Sequence, residues 1–495
     1  MKALTHEDQL TLLRQLSGMG SHGRAEGESE EAFPRTFYPV AEHARAFDPD
    51  VVLIIGPRGS GKTELFRAVI WRGLLPAIAR HAPTVRLPPL EPARTTWLSG
   101  YPIGAGFPDA RGLRRFVDEK GSSPEPTMEL WFCYLVRSLR DHLDEEAKSS
   151  LNWMFSIQGG DAISNYEAFR RTGDSPLLAL DRLDEKLHRT DSRIFIGYDE
   201  LDTLGGAVWE VMNTGIRGLV AFWATYTRRW RRIRAKIFLR TDLFQRHATA
   251  GGADLAKLAA NRAELVWGDR NLYAMLMKRV SNTSEELHEY CEATHIKFHE
   301  DTELYLVPDL TRAEQAKPFV DRLVGPYMGA NIKKGLVFRW LLDHIRDGRG
   351  HALPRPLVRL IEEAARYELN SGGRIRPPRL LRPVSFRAAL DVVSKEHVTQ
   401  STDEWPWLSG LRDRLSDDQV PWDRRQQVER RIAVNFDGSW GAQPEIRPPT
   451  KEPRELVDYL VEIGVFRARS DGRIDVPDLF LAGLGLKRKG GVRRR

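Results

Sequence analysis

The chain runs to 495 residues, too long for one compact core, so roughly two to four domains are expected. Hydrophobic residues make up 41% and charged residues 29%, ordinary for a globular chain; the two cysteines, Cys133 and Cys291, exclude a disulfide framework or a zinc site and point to a reducing interior. The net charge of +7 does not describe the body, because Lys487, Arg488, Lys489, Arg493, Arg494 and Arg495 supply six of the seven charges.

The opening "MKALTHEDQLTLLRQL" mixes charge into an amphipathic pattern and has no apolar signal core. No window approaches about 18 uninterrupted apolar residues, so neither a membrane span nor a membrane partner is expected, and the location is expected to be cytoplasmic. The first eighteen residues read as a short helix, with Thr5 and Asp8 spaced as a capping box and Gly18 as its stop. "GMGSHGRAEGESEE" comes next as a flexible link.

Residues 51–70, "VVLIIGPRGSGKTELFRAVI", carry the strongest motif. Gly56, Pro57, Arg58, Gly59, Ser60, Gly61, Lys62 and Thr63 satisfy G-x-x-x-x-G-K-[ST] at every required position, with Glu64 opening the next turn. The β-branched run before it suits a buried parallel strand, and Leu65, Phe66, Val69 and Ile70 after it have helical spacing. Such a loop captures anions, because glycines let several N–H groups point inward and the helix adds its positive end. Lys62 would then reach the β- and γ-phosphates of ATP, and the Thr63 hydroxyl would ligate Mg²⁺. The alternative is a glycine-rich strand-to-helix turn with no ligand.

The Pro/Gly-rich stretch 87–112 cannot be a continuous helix, whereas "TMELWFCYLVRSLRDHL" and "SPLLALDRLDEKLHR" have helical patterns. "RIFIGYDELD" (193–202) places an apolar run directly before Asp199 and Glu200, which puts both carboxylates at the C-terminal edge of a parallel strand. Asp199 would hold the Mg²⁺ shell, Glu200 would orient or deprotonate the attacking water, and Asp202 would support them; acid pairs of this kind also serve as helix caps. Next, "VWEVMNTGIRGLVAFWATYTRRWRRIRAK" reads as a long helix ending in Arg228, Arg229, Arg231, Arg232, Arg234 and Lys236. These cations could grip a phosphate backbone, enter a neighbouring subunit's site, or simply face water at a helix C-terminus.

"AKIFLRTDLF" (235–244) is a third strand ending in Arg240, Thr241 and Asp242. Arg240 could neutralise charge on the phosphoryl oxygens, or it could be a surface ion-pair residue. "GGRIRPPRLLRP" (372–383) marks the boundary of a C-terminal module, and "GAQPEIRPPTKEPR" is a link inside that module. A helix patterned by Leu456, Tyr459, Leu460 and Ile463 leads to two short strands about Ser470-Asp471-Gly472, a hairpin signal that fits the end of a winged helix.

The set "GPRGSGKT", "IFIGYDELD" and "KIFLRTD", followed by "ELVWGDRNLYAMLMKRV", resembles the AAA+/STAND side of the P-loop ATPases. It is most similar to origin-recognition-like bacterial ATPases, some of them encoded among phage-defence genes. The resemblance implies an α/β P-loop NTPase: a parallel-sheet core, a helical lid and a C-terminal winged-helix module. It divides the chain into an N-terminal helix and link (1–36), an ATPase core (37–268) with an insertion at about 80–190, a lid (269–372), the winged-helix-like module (373–486) and a basic tail (487–495). The insertion would be a partner-facing subregion. Arg355, in "ALPRPLVRLIEEAA", would start a lid helix and reach the nucleotide or else be a capping or surface arginine; Phe37 and Tyr38 would border the adenine or lie in a core. The activity implied is ATP hydrolysis that switches a protein, a second copy or DNA, the last through the C-terminal module and basic tail. The alternative is a non-hydrolysing, ATP-gated DNA-binding or signalling scaffold.

Overall fold

The computed structural model describes residues 4–20, 31–102, 106–206, 208–249, 256, 258–433, 448, 450 and 452–489. The chain divides into two compact units, Pro39–Val266 and a second made of Met1–Tyr38 with Trp267–Arg495. Each has its own apolar core. The expected links at 18–31 and 441–454 and the residues Arg493, Arg494 and Arg495 fall largely outside the described residues.

The unit Pro39–Val266 is built on a parallel sheet of β1 (Leu53–Gly56), β2 (Thr95–Tyr101), β3 (Arg193–Tyr198), β4 (Ile233–Arg240) and β5 (Ala263–Glu264), in the order β2-β3-β4-β1-β5. Every pairing is parallel, with Leu53 opposite Ile237 and Gly56 opposite Arg240. β1 is buried throughout and β3 at all but its first residue, as parallel strands covered on both faces must be. The apolar runs recognised in the sequence are therefore strands, and β4 begins two residues earlier than expected.

β2 was hidden in the Pro/Gly-rich stretch and pairs with β3 at the sheet edge. Between β2 and β3 the chain forms helices that include Pro124–Ser138 and Ser175–Arg189, at the two stretches whose patterns were helical. The first packs on Trp209–Tyr226 so closely that a Cβ at Gly218 would lie 2.7 Å from Thr127 Cβ. Trp131, Tyr198 and Trp223 meet beneath that contact, and the Trp131 indole donates to Gly215 O at 2.8 Å. Large buried side chains of this sort each contribute roughly 2–3 kcal/mol or more, so the insertion is core as well as surface.

The helix before the arginine cluster stops at Tyr226. The cluster is thus not a helical face: Arg228, Arg229, Arg231 and Arg232 lie in the turn before β4, while Arg234 and Lys236 lie on β4 itself. The reason is Trp230, buried to 1% exposure, stacked on Tyr226 at 4.8 Å and bonded to Asp181 at 3.0 Å. The Asp184 carboxylate then accepts the amides of Arg231, Arg232 and Ile233 and turns the chain into the strand. Lys236 is wholly buried and caps the carbonyls of Asp48 and Val51 ahead of β1.

In the second unit, the helix His6–Gly18 carries the expected Thr5/Asp8 capping box. Its Leu12, Leu13 and Leu16 belong to the same core as Leu357, Leu360 and Ile361 of the helix Pro354–Ser371. Phe37 is in this unit too, stacked on Phe33 at 5.6 Å. Near the C-terminus, Arg467–Ala468 and Ile474–Asp475 form the antiparallel hairpin read from the sequence, turning at Gly472 with φ 80°. Lys487–Arg488 pairs in parallel with Gln419–Val420. Lys487, Arg488 and Lys489 each reach a carboxylate: Asp417, Asp478 with Asp475, and Asp423. Three of the six cations of the expected basic tail are therefore ion-paired. Among the described residues no helix is long and apolar enough to cross a membrane.

Candidate functional site

The loop after β1 has the backbone that a wrapped phosphate requires. Gly59 (φ 80°) and Gly61 (φ 90°) are left-handed, a region that side chains disfavour. A Cβ at Gly56 would lie 2.3 Å from Ser60 Oγ, so only glycine lets the loop fold back on its own strand. Gly61 caps the helix Lys62–Phe66 without a side-chain acceptor. The helix runs on as a π turn, Arg67–Trp71, and this wider turn carries Phe66 and Ile70 against Gly197 of β3.

Lys62 curls over the loop, its Nζ donating to Gly56 O at 2.9 Å and Pro57 O at 3.0 Å. Thr63, next on the helix, lies beside Asp199, which follows β3, close enough for its hydroxyl to favour the charged carboxylate. Two segments well over a hundred residues apart in sequence thus meet at these side chains. Asp199 is 3% exposed; burial pushes its carboxyl up to about 6, against the pull of the nearby Thr63 hydroxyl and the Lys62 charge. Its Oδ2 is buried and accepts no hydrogen bond. A buried carboxylate oxygen with a free lone pair, beside a threonine hydroxyl, is a donor set that fits a hard divalent cation.

Glu200 adopts φ 53°, ψ 30°, an uncommon conformation for a residue with a side chain. It is held there because its carbonyl accepts both the amide (2.9 Å) and the hydroxyl (2.8 Å) of Thr203. Arg240 ends β4 directly opposite Gly56, and its guanidinium binds Asp242 at 2.8 and 3.1 Å and Asp202 at 3.2 Å. Arg58 and Glu64 sit partly exposed on the loop and first helical turn. Arg355 belongs to the other unit, where it is the second residue of Pro354–Ser371 and donates to Gln400 at 3.4 Å.

Tyr101 was missed by sequence reasoning. Its carbonyl accepts the Asp199 amide at 3.0 Å, and its hydroxyl meets Thr203 at 2.7 Å. The signal was the "TTWLSGY" run, masked by its proline neighbours.

A glycine-rich loop between an inner parallel strand and a helix, with a buried acid after a nearby strand of the same sheet, defines the α/β fold of the P-loop NTPases. No family model matches the chain, and neither does any curated protein. Two solved structures align along most of it. The Aeropyrum pernix ORC2 protein, in ADPNP–ADP complexes, aligns over 89% of this chain and 90% of that one, at 12% identity and TM-score 0.27. The ORC1 protein of the same organism, in complex with DNA, aligns over 96% and 90%, at 13% identity and TM-score 0.31. The fold assignment rests on the sheet order and the loop themselves.

Proposed function

We propose that this chain is an ATP-hydrolysing switch of the AAA+/STAND type. The observation that carries the reading is the buried, unpartnered Asp199 Oδ2, with Thr63 and Lys62 of the loop close beside its carboxyl. The amides of Gly56–Thr63 would cradle the phosphates, and Lys62, now resting on two loop carbonyls, would turn its ammonium to the β- and γ-phosphates. Thr63 and Asp199 would hold Mg²⁺, which when bound supplies charge neutralisation at the phosphate oxygens. Glu200, presented by its constrained turn, would orient or deprotonate the attacking water. Arg240 acts through Asp202 and Asp242 and is a positioning residue, linking the strand beside the loop to the turn that bears Glu200.

Two variants test this. Lys62→Ala should abolish uptake of a fluorescent ATP analogue, whereas Glu200→Gln should keep uptake and lose turnover by about a hundredfold or more. Uptake by Lys62→Ala equal to that of the parent would end the reading. Equal, low turnover in Glu200→Gln and the parent would instead favour the nucleotide-gated scaffold. Measuring the rate with and without duplex DNA across salt then asks whether DNA is the partner.

A further inference from the structure

A second cluster of cations lies at the other edge of the same sheet. The loop holding Lys62 follows the C-terminal end of β1; the turn 228–232 and Arg193 stand where β4 and β3 begin. Arg234 and Arg240 are thus separated by most of β4, about 20 Å at the usual strand rise. There a cavity of about 720 Å³ opens, lined by Arg86, Arg193, Arg228, Arg231, Arg232 and Arg234, with Asp50 the sole lining carboxylate among the described residues. That volume is in the range of small-molecule sites.

Internal ion pairs neutralise only part of this charge. Arg234 pairs with Asp50 at 2.9 Å, Arg86 with Asp48 at 3.0 Å and with Asp50, and Arg232 with Asp191 at 2.9 Å. Among the described residues the guanidinium groups of Arg193, Arg228 and Arg231 have no hydrogen bond or ion pair, and Arg193 Nε is buried without an acceptor. Arg193 is less basic than an ordinary arginine, first through burial and then through the like charges of Arg232, Arg234 and Arg86. A bound anion would relieve that repulsion.

The cavity is also built rather than merely exposed. The Asp184 carboxylate fixes the turn that bears Arg231 and Arg232, and buried Trp230 anchors it. Pro49, Pro88 and Pro89, with their restricted backbones, also line it. Among the described residues neither phenylalanine, tyrosine nor tryptophan lines it, so it lacks the stacking platforms with which proteins hold single-stranded nucleic acid. Planar guanidinium groups converging on a concave space match the oxygens of phosphate groups gathered on one small molecule.

We propose that this cavity binds a compact soluble anion carrying two or more phosphate groups, at a site separate from the phosphate loop. The inference does not depend on the function proposed above.

The test uses the full chain and inorganic tripolyphosphate, titrated by calorimetry into the Lys62→Ala protein so that the phosphate loop contributes little. Saturable binding near one equivalent is expected, weakening with salt. Arg228→Gln/Arg231→Gln, at exposed positions, should weaken it at least tenfold with an unchanged melting temperature, and Arg193→Gln should do the same. In the parent chain a further equivalent, lost on Lys62→Ala, reports separately on the loop. Absence of saturable binding, or affinity indifferent to these arginines, overturns the proposal. So does binding of a 20-base-pair duplex that depends on these arginines when tripolyphosphate does not bind, since the face would then be a nucleic-acid surface.

Discussion

Asp199 is held at a cost to the nucleotide-free fold. Burial removes water from the charged form and pushes its carboxyl in the folded chain up to about 6, from 3.8 ordinarily. Below about pH 4 both states hold the proton and nothing is lost; as pH rises from about 4 to 6 the unfolded chain releases the proton while the folded chain keeps it, and the fold loses stability. Asp199→Asn should therefore stabilise the nucleotide-free protein by an amount that grows between pH 4 and 6 and levels off at no more than about 3 kcal/mol. Thermal melts across that range would show it, alongside weakened dependence of ATP binding on Mg²⁺. An unchanged melting temperature at pH 7 would mean that the buried oxygen is solvated or paired. The residue types of this site were legible in the sequence, since Lys62, Thr63 and Asp199 follow from motif and spacing. The meeting of Thr63 with Asp199, the unsatisfied Oδ2 and the Arg240 contacts with Asp202 and Asp242 were not, because each depends on which strand lies beside which.

Elements transmit the same dependence. The helix that starts at Lys62 lies over β3 only because Gly197 has no side chain: an added Cβ would sit 2.1 Å from Ile70 Cδ1 and 2.8 Å from the Phe66 ring. Gly197→Ala should cost about 1–3 kcal/mol through overpacking and shift Lys62 and Thr63, so both the melting temperature and nucleotide affinity should fall. Parent-like values for both would show that the helix can slide without disturbing the loop. β1, β3 and β4 were readable as apolar runs, whereas β2 was not. It is a half-exposed edge strand whose pairing with β3, rather than its own composition, makes it extended. Likewise the arginine run continued a helical pattern on paper, but Trp230 and Asp184 make tertiary bonds that end the helix and turn those cations to the sheet edge.

At the scale of the whole molecule, two units with separate cores predict two unfolding events. Scanning calorimetry should resolve two transitions, and ATP analogue with Mg²⁺ at about a hundred times Kd should stabilise the one belonging to Pro39–Val266 by about 2.7 kcal/mol. Lys62→Ala should remove that shift and leave both transitions in place. A single transition that moves as one body would show that the units unfold together. The glycine-rich loop, the apolar strands around it and the position of the acidic pair were set by residue order alone, because a loop folded back on its own strand and strand burial each need particular side chains at fixed short spacings. Strand order, the meeting of Thr63 with Asp199, and the arginine-lined cavity at the opposite sheet edge were decided only in the folded chain. Contacts between segments far apart in sequence are selected by shape and burial, and no local pattern records them.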